Sequence, residues 1–371
     1  MRSVYIKNFK NIRELTFENL ARVNLIVGKN SVGKSALLEA ISVYLSNGSE
    51  DWLKELLANR GETISVGVTS TGASSVEIEE INAQHYLSLF TDRKEDYSRD
   101  FSIIVGELDK EDELVKINQA YVSSPVSIDD EQIMNRKILT AEDLTNDSNI
   151  QIDGRGLYVT IGKKQNFIPY NRFRSFVKND YRTKFQYVHT IDFIARKNSS
   201  LFDNIALSPE EQYIIKALQI INPQVERINF LNNENERLSR KERVPIVTLK
   251  GDNRKFLLSS MGDGINRILT IILAMLNCKG GVLLLDEFET GLHYSVQGEL
   301  WKVIFMLADE LDIQVFATSH STDCIKSFAD SNEQGVGMLF RLEERKGMVS
   351  VVSYGDSEEL KFATTNNIEM R

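Results

Sequence analysis

The strongest constraint in this sequence is the segment 28–35, which reads Gly-Lys-Asn-Ser-Val-Gly-Lys-Ser. It has the spacing of a phosphate-binding loop, in which two glycines let the backbone turn tightly and point N–H groups at phosphate oxygens. The apolar run 23–27 before it predicts a buried strand, and the run 36–41 after it is rich in helix formers. A chance glycine turn lacks this setting, so the segment predicts a nucleotide-phosphate site.

Each residue of the loop is a candidate for binding the phosphates. These residues are Gly28, Lys29, Asn30, Ser31, Val32, Gly33, Lys34 and Ser35. Lys34 is expected to reach the β- and γ-phosphates, and Ser35 is expected to be a ligand of Mg²⁺. The positive end of the following helix adds to the attraction for anions.

A second motif lies far downstream, where four apolar residues, 282–285, precede Asp286 and Glu287. A buried parallel strand delivers the residues that follow it to its carboxyl end, beside a phosphate loop. We therefore expect Asp286 to hold Mg²⁺, and Glu287 to orient and deprotonate the attacking water. The alternative is an acidic strand end followed by a turn.

Two further segments complete the candidate site. The predicted strand 313–317 leads to His320, which can donate to the γ-phosphate or position the water, although a lone histidine is usually structural. Ser260, Gly262 and Gly264 precede an apolar helix and form a second anion-binding turn. One nucleotide does not need two such turns, so this turn is expected to cap the γ-phosphate bound by a second copy of the chain. An ordinary capped helix is the alternative.

These four segments, with the opening run 6–10, resemble the ABC-type ATPases of the RecF, SMC and Rad50 class. The resemblance is closer to the AAA15/AAA21 ATPases and to the ATPase modules of OLD-family nucleases. It implies an α/β fold, namely an ABC-type P-loop ATPase head with a mixed sheet and an α+β insertion between the phosphate loop and the turn at Ser260. It also implies ATP and Mg²⁺ as ligands, Glu287 and His320 as catalytic residues, and a homodimer or higher homo-oligomer with shared ATP sites.

The spacing of the motifs predicts a discontinuous ATPase domain, 1–48 and 186–371, interrupted by a lobe at 49–185 that is a candidate contact region for a second copy or a partner. Within this lobe the run 76–81 predicts a strand. The lobe lacks sustained heptads, so it is not expected to be the long coiled coil of SMC or Rad50 proteins.

The resemblance also bears on biological role. We expect no nuclease domain after the ATPase module, so a nuclease effector would be a separate polypeptide. ATPases of this appearance are encoded with an effector in bacterial anti-phage systems of the PARIS, Septu and AbiL/RloA types. The resemblance therefore implies the sensor or regulator of a defence complex. A RecF-like DNA-binding ATPase of repair or maintenance, and an ATP-binding scaffold with little turnover, are the alternatives.

The segment 170–185 interleaves basic and aromatic side chains, which suits a nucleic-acid backbone or a single strand. Its basic residues are Arg172, Arg174, Lys178, Arg182 and Lys184. A face that binds a partner protein uses the same residue types. The net charge of −9 argues against a chain coated in DNA-binding surface and permits only a local patch.

The composition predicts a cytoplasmic protein without membrane contact. Of the 371 residues, 42% are hydrophobic, yet no stretch approaches the length of a membrane span, and the first residues lack the apolar core of a signal peptide. The two cysteines, Cys278 and Cys324, have no metal-binding spacing and are expected to be core thiols in a reducing compartment.

Overall fold

The computed structural model describes residues 1–62, 75–123, 127–128, 131–132, 137–146, 152–171, 181–190, 195–232, 243–332 and 335–355. The strands are β1 (Val4–Phe9), β2 (Ile12–Phe17), β3 (Val23–Gly28), β4 (Ser102–Gly106), β5 (Val115–Ser123), β6 (Ser127–Ile128), β7 (Glu131–Gln132), β8 (Ile138–Leu139), β9 (Ile152–Ile161), β10 (Lys164–Pro169), β11 (Phe185–Val188), β12 (Val225–Asn232), β13 (Arg243–Leu249), β14 (Asp252–Leu257), β15 (Val282–Leu285), β16 (Gln314–Ser319), β17 (Gly337–Arg345) and β18 (Met348–Tyr354). The helices are α1 (Lys34–Leu45), α2 (Glu50–Asn59), α3 (Ser75–Leu87), α4 (Ala141–Asn146), α5 (Ala195–Asp203), α6 (Glu211–Leu218), α7 (Asp263–Asn277), α8 (Tyr294–Glu310) and α9 (Thr322–Ser331).

The chain divides into two compact units. The first unit comprises residues 1–19, 39–182 and 344–350, and the second comprises residues 20–38, 183–343 and 351–371.

The first unit contains an antiparallel sheet with the strand order β10-β9-β5-β4-β1-β2, to which β8 adds by pairing with β5. One prediction in this unit is wrong, because residues 76–81 lie in helix α3 rather than in a strand. The helix buries Asn82, Ala83, Tyr86 and Leu87. These buried residues follow the alternating run 76–81 and have the spacing of one helix face, so the whole segment forms a helix.

The second unit is built on a sheet with the strand order β11-β15-β16-β3-β17-β18, in which the first five strands pair in parallel. Strands β3 and β15 are buried along their whole length. Burial on both faces is typical of parallel sheets and explains why these strands read as continuous apolar runs instead of alternating ones.

Helix α7 lies in the hydrophobic core of the second unit. Eleven of its residues are buried, and they fall on all sides of the helix. A helix that is apolar all round belongs inside a protein, and α7 contacts α5, α6, α8, β11 and β15. A small antiparallel sheet, β12-β13-β14, leads into the turn that precedes α7.

The sheet of the second unit positions the candidate site. Strand β16 lies between β15 and β3, and all three run parallel, so their carboxyl ends lie at one edge of the sheet. The residues that follow these strands are Asp286, His320 and the loop that starts at Gly28. Ligands of open parallel sheets bind at this edge, which is where the sequence motifs converge.

Both cysteines are free and buried, as predicted for core thiols. Burial raises the pKa of the Cys278 thiol to about 12 and also raises the pKa of the Cys324 thiol. Such thiols stay protonated and unreactive at neutral pH. Within the described ranges, no helix combines the length and the apolar character needed to cross a membrane.

Candidate active site

The backbone of the phosphate loop requires its glycines. Gly28 has φ of +152° and Gly33 has φ of +111°, in the left-handed region that side chains other than glycine rarely adopt. A Cβ atom on Gly28 would also lie 2.7 Å from the carbonyl oxygen of Leu342. Residues 29–31 at the tip of the loop are exposed, which leaves their backbone accessible to a ligand.

Lys34 spans the loop from the start of α1. Its Nζ donates to the carbonyl oxygens of Gly28 at 2.7 Å and Lys29 at 2.9 Å. Burial lowers the pKa of Lys34, and the negative charges of Glu289 and of the Asp286–Glu287 pair oppose that effect. Lys34 therefore donates to two neutral carbonyl oxygens. Charged phosphate oxygens are stronger acceptors and can replace them.

The two predicted metal ligands lie side by side. Ser35 Oγ donates to Asp286 Oδ1 at 3.1 Å. Thr318 Oγ1, from the end of β16, donates to the same Asp286 oxygen at 2.6 Å and accepts from the backbone N–H of Glu287 at 2.9 Å. A hydroxyl and a carboxylate are hard oxygen ligands of the kind that Mg²⁺ prefers, so this donor set fits the ion. Thr318 was not assigned a role from the sequence.

The backbone of Glu287 is strained. Its φ of +47° lies in the left-handed region, which is unusual for a residue with a long side chain. Its carboxylate Oε2 accepts from Thr290 Oγ1 at 3.2 Å. Residues in such conformations persist only where the surroundings hold them, and they cluster at functional sites.

Arg267 supplies part of that restraint and was missed from the sequence. It is fully buried in α7 and donates to three backbone carbonyls: His189 at 2.9 Å, Asp286 at 2.7 Å and Glu287 at 3.0 Å. The signal for it was present, because Arg267 is the one charged residue within the apolar run 265–276. Arginine is almost never fully buried unless it has partners of this kind.

His320 lies directly after β16 and contacts a carboxylate. Its backbone N–H donates to Glu289 Oε1 at 2.8 Å, and its Nδ1 lies 3.1 Å from the same oxygen. The His320 side chain is 45% exposed, whereas that of Glu289 is 10% exposed. Glu289 therefore contacts the backbone N–H and Nδ1 of the histidine, and the rest of the ring is partly exposed to solvent.

The turn before α7 is exposed at Ser260 and Gly262. Ser260 Oγ donates to the carbonyl of Leu257 at 2.6 Å, and Gly262 has φ of +99°, which favours glycine. Gly264 differs, because a Cβ atom there would lie 2.9 Å from the carbonyl oxygen of Gly291. Glycine is therefore required at position 264 because α7 packs closely against the turn after Glu287.

Gly264→Ala is expected to lower the free energy of unfolding by about 1–3 kcal/mol and to slow ATP turnover, because the added methyl pushes against the backbone of the Gly291 turn. Urea unfolding and steady-state ATPase assays measure both effects. Gly298→Ala in α8 is the matched control, because its Cβ meets no atom within 4 Å. There alanine should be neutral or stabilising. Equal stability of the two variants would contradict the close-packing argument.

Only the two ends of the basic segment 170–185 lie within the described residues. Arg172, Arg174 and Lys178 lie outside the described residues. Arg182 lies 2.5 Å from Glu113 Oε2 in an ion pair, and its guanidinium lies 4.1 Å from the centroid of the Tyr44 ring. Lys184 is exposed. Arg182 is thus engaged within the chain, and the assignment of the segment to nucleic acid stays a prediction.

Comparison with known proteins identifies a family and two relatives, one of which covers nearly the whole chain. A family model described as AAA_15, AAA ATPase domain, matches residues 1–325. The chain is 26% identical over 400 residues to a Helicobacter pylori protein named ATP/GTP phosphatase, with 99% of each protein covered. A shorter match, 52% identical over 44 residues, pairs 12% of this chain with 20% of the uncharacterized protein MJECL10 of Methanocaldococcus jannaschii.

Among solved structures, the chain resembles the crystal structure of an Smc head bound to the C-winged helix domain of ScpA. The TM-score is 0.52 at 12% identity, with 96% of this chain and 99% of the other covered. An SMC head domain from Thermotoga maritima has a TM-score of 0.43 at 12% identity, with 95% and 98% covered. The first likeness confirms the predicted α/β fold of an ABC-type P-loop ATPase head.

Proposed function

This chain belongs to the AAA_15 family of AAA ATPase domains and is an ATPase of that type, and we propose that it binds Mg-ATP at the carboxyl ends of β3, β15 and β16. The observation that carries the proposal is the contact of Ser35 Oγ with Asp286 Oδ1 at 3.1 Å. Two residues far apart in the chain form a hydroxyl–carboxylate pair next to Lys34, as a site for a metal-bound triphosphate requires.

Binding follows from the loop. The N–H groups of the loop and the Lys34 ammonium bind the phosphate oxygens, and the N-terminus of α1 adds its positive dipole end. Ser35 and Asp286 would hold Mg²⁺, which neutralises charge on the β- and γ-phosphates when it is bound. Thr318 keeps the Asp286 carboxylate oriented toward Ser35 by donating to the same oxygen.

Hydrolysis follows from the strained turn. Glu287 orients a water molecule and accepts one of its protons while the water oxygen attacks the γ-phosphorus. The bond from the γ-phosphorus to the bridging oxygen breaks, and ADP leaves with the electron pair. His320 positions the water or the γ-phosphate from the neighbouring strand end. Arg267 holds the carbonyl of Glu287, so that the carboxylate is placed before ATP arrives.

We propose that the active form is a dimer in which the turn 260–264 of one copy closes over ATP bound to the other. The turn is exposed at Ser260 and Gly262, and the tip of the phosphate loop is exposed as well, so both surfaces are available for such a contact. ATP then acts as a clamp between subunits, because it binds the closed pair more tightly than the open one.

In the cell, the chain is proposed to sense or regulate within a bacterial anti-phage complex and to control a separate effector such as a nuclease. The motif resemblance supports this role. Expression with its genomic neighbours should yield a copurified effector and protection from phage, and failure of both would contradict it. Salt-sensitive DNA binding that is lost on charge reversal of Arg172 and Arg174 would instead favour a RecF-like maintenance ATPase.

Lys34→Ala is expected to weaken ATP binding by about 10- to 100-fold, because it removes charged hydrogen bonds to phosphate oxygens. Isothermal titration with Mg-ATP measures the loss. Lys302→Ala is the matched control, since that lysine is exposed on α8 and pairs with Glu299. An unchanged affinity for ATP in Lys34→Ala would contradict the proposal that this loop binds the phosphates.

A further inference from the structure

The turn after β15 carries a second carboxylate that the reaction above does not use. Glu289 is nine-tenths buried, yet it faces the candidate catalytic histidine through a single oxygen. Its Oε1 accepts from the His320 backbone N–H at 2.8 Å and lies 3.1 Å from His320 Nδ1. Both the main-chain N–H and the ring Nδ1 of His320 therefore lie against the same carboxylate oxygen.

This pair differs from an ordinary surface ion pair. Exposed pairs contribute little, whereas a buried carboxylate carries a desolvation cost that its partners must offset. Within the described part of the chain, the other oxygen of Glu289, Oε2, is buried and has no hydrogen-bond partner. A buried carboxylate oxygen without a partner costs stability, so a functional role for Glu289 is the better explanation of its position.

The negative charge of Glu289 also acts on Lys34. Burial lowers the pKa of Lys34, and the charge of Glu289 opposes this more strongly than the charges of Glu287 and Asp286 do. The charge of Glu289 thus acts on the lysine of the phosphate loop, and its Oε1 lies beside the histidine of the neighbouring strand end. Its own turn also carries Glu287.

We propose that Glu289 is a positioning residue for ATP hydrolysis, which holds the Nδ1–H and the backbone N–H of His320 so that ring atom Nε2 is presented to the transferred phosphate. The inference rests on the proposed function, which places His320 at the γ-phosphate. A carboxylate at Nδ1 selects the Nδ1-protonated ring and fixes its orientation, as carboxylates do behind functional histidines.

The first test is kinetic. Glu289→Gln keeps the size of the side chain but lacks the charge, and it is expected to lower kcat about 10- to 100-fold with little change in the KM for ATP. In a His320→Ala background the same change should have no further effect, because Glu289 acts through His320. Glu299→Gln, on the exposed face of α8, is the control.

The second test does not depend on turnover. The chain has four histidines, so ¹⁵N-histidine labelling gives few ring signals, and the signal lost in His320→Ala is that of His320. The wild-type ring is expected to be protonated at Nδ1. Glu289→Leu, which removes the acceptor that a glutamine would keep, should shift the ring toward the other tautomer. An unchanged ring spectrum in Glu289→Leu would overturn the proposal.

The same experiments distinguish the positioning role of Glu289 from the proposed function of His320. If His320→Ala loses turnover while Glu289→Gln turns over as wild type, the positioning role is overturned and the proposed function stands. If His320→Ala turns over as wild type, the role of His320 in the proposed function is overturned, even where the spectra still report the contact with Glu289. Additive losses in the double variant would also overturn the positioning role.

Discussion

Glu287→Gln is expected to lower kcat for ATP hydrolysis by about 100- to 10,000-fold, because an amide cannot accept the proton of the attacking water. Glutamine matches the carboxylate in size and can still accept the hydrogen bond that Thr290 Oγ1 donates to Oε2. ATP binding is therefore expected to be retained, and the ATP-bound form should accumulate.

Single-turnover hydrolysis measures the loss of activity, and the particle mass in solution measures the accumulation of the ATP-bound form. With Mg-ATP, Glu287→Gln is expected to convert from monomers to dimers, and the added change Ser260→Arg should prevent the conversion by blocking the exposed turn. Asp323→Asn, an exposed acid at the start of α9, is the control for removing one carboxylate. Wild-type turnover in Glu287→Gln would remove this residue as the base. A fixed assembly independent of nucleotide would contradict the ATP clamp.

Arg267→Met is expected to destabilise the protein by about 3–5 kcal/mol, an effect comparable to breaking a buried ionic network. Methionine fills a similar space but leaves the backbone carbonyls of His189, Asp286 and Glu287 without the donors that they have now. Each unsatisfied buried acceptor costs about 1–3 kcal/mol. This effect is large because a native protein has only about 5–15 kcal/mol of net stability.

Arg267→Lys tests the role of Arg267 where the methionine variant fails to fold. A single ammonium group cannot reproduce the planar fork that reaches three carbonyls, so the lysine variant should fold with reduced stability. Its kcat should fall more than its KM changes, because the strained backbone of Glu287 loses a restraint.

Urea unfolding and ATPase kinetics measure these effects. Arg254→Met is the control, because the side chain of Arg254 is 78% exposed and pairs with Asp252, and surface changes of this kind stay within about 0.5 kcal/mol. An Arg267→Lys variant with wild-type stability and wild-type kcat would show that the arginine neither supports the fold nor positions Glu287.

Much of the candidate site could be predicted from the sequence because its signals are local. The glycine spacing of 28–35 and the apolar run before Asp286 each lie within a few neighbouring residues. The structure brings Ser35 and Asp286 together as expected, with 3.1 Å between the two oxygens. The strand predicted at 76–81 was wrong because a six-residue window does not include the helical spacing that follows it.

The residues that support the site could not be assigned in the same way. Thr318, Arg267 and Glu289 each act on a residue from another part of the chain, and no spacing in the sequence relates the two partners. Only the burial of a charged residue in an apolar helix, as at Arg267, leaves a trace in the sequence.

The sequence by itself determined the glycine-rich loop 28–35 and the buried strand before Asp286, because loop geometry and strand burial are encoded by near neighbours. The tertiary structure decided that β16 lies between β3 and β15, and so decided that Thr318 reaches Asp286 and that His320 reaches Glu289. Lateral pairing of parallel strands joins segments far apart in the chain. It depends on how the whole core packs around α7, which no local pattern specifies.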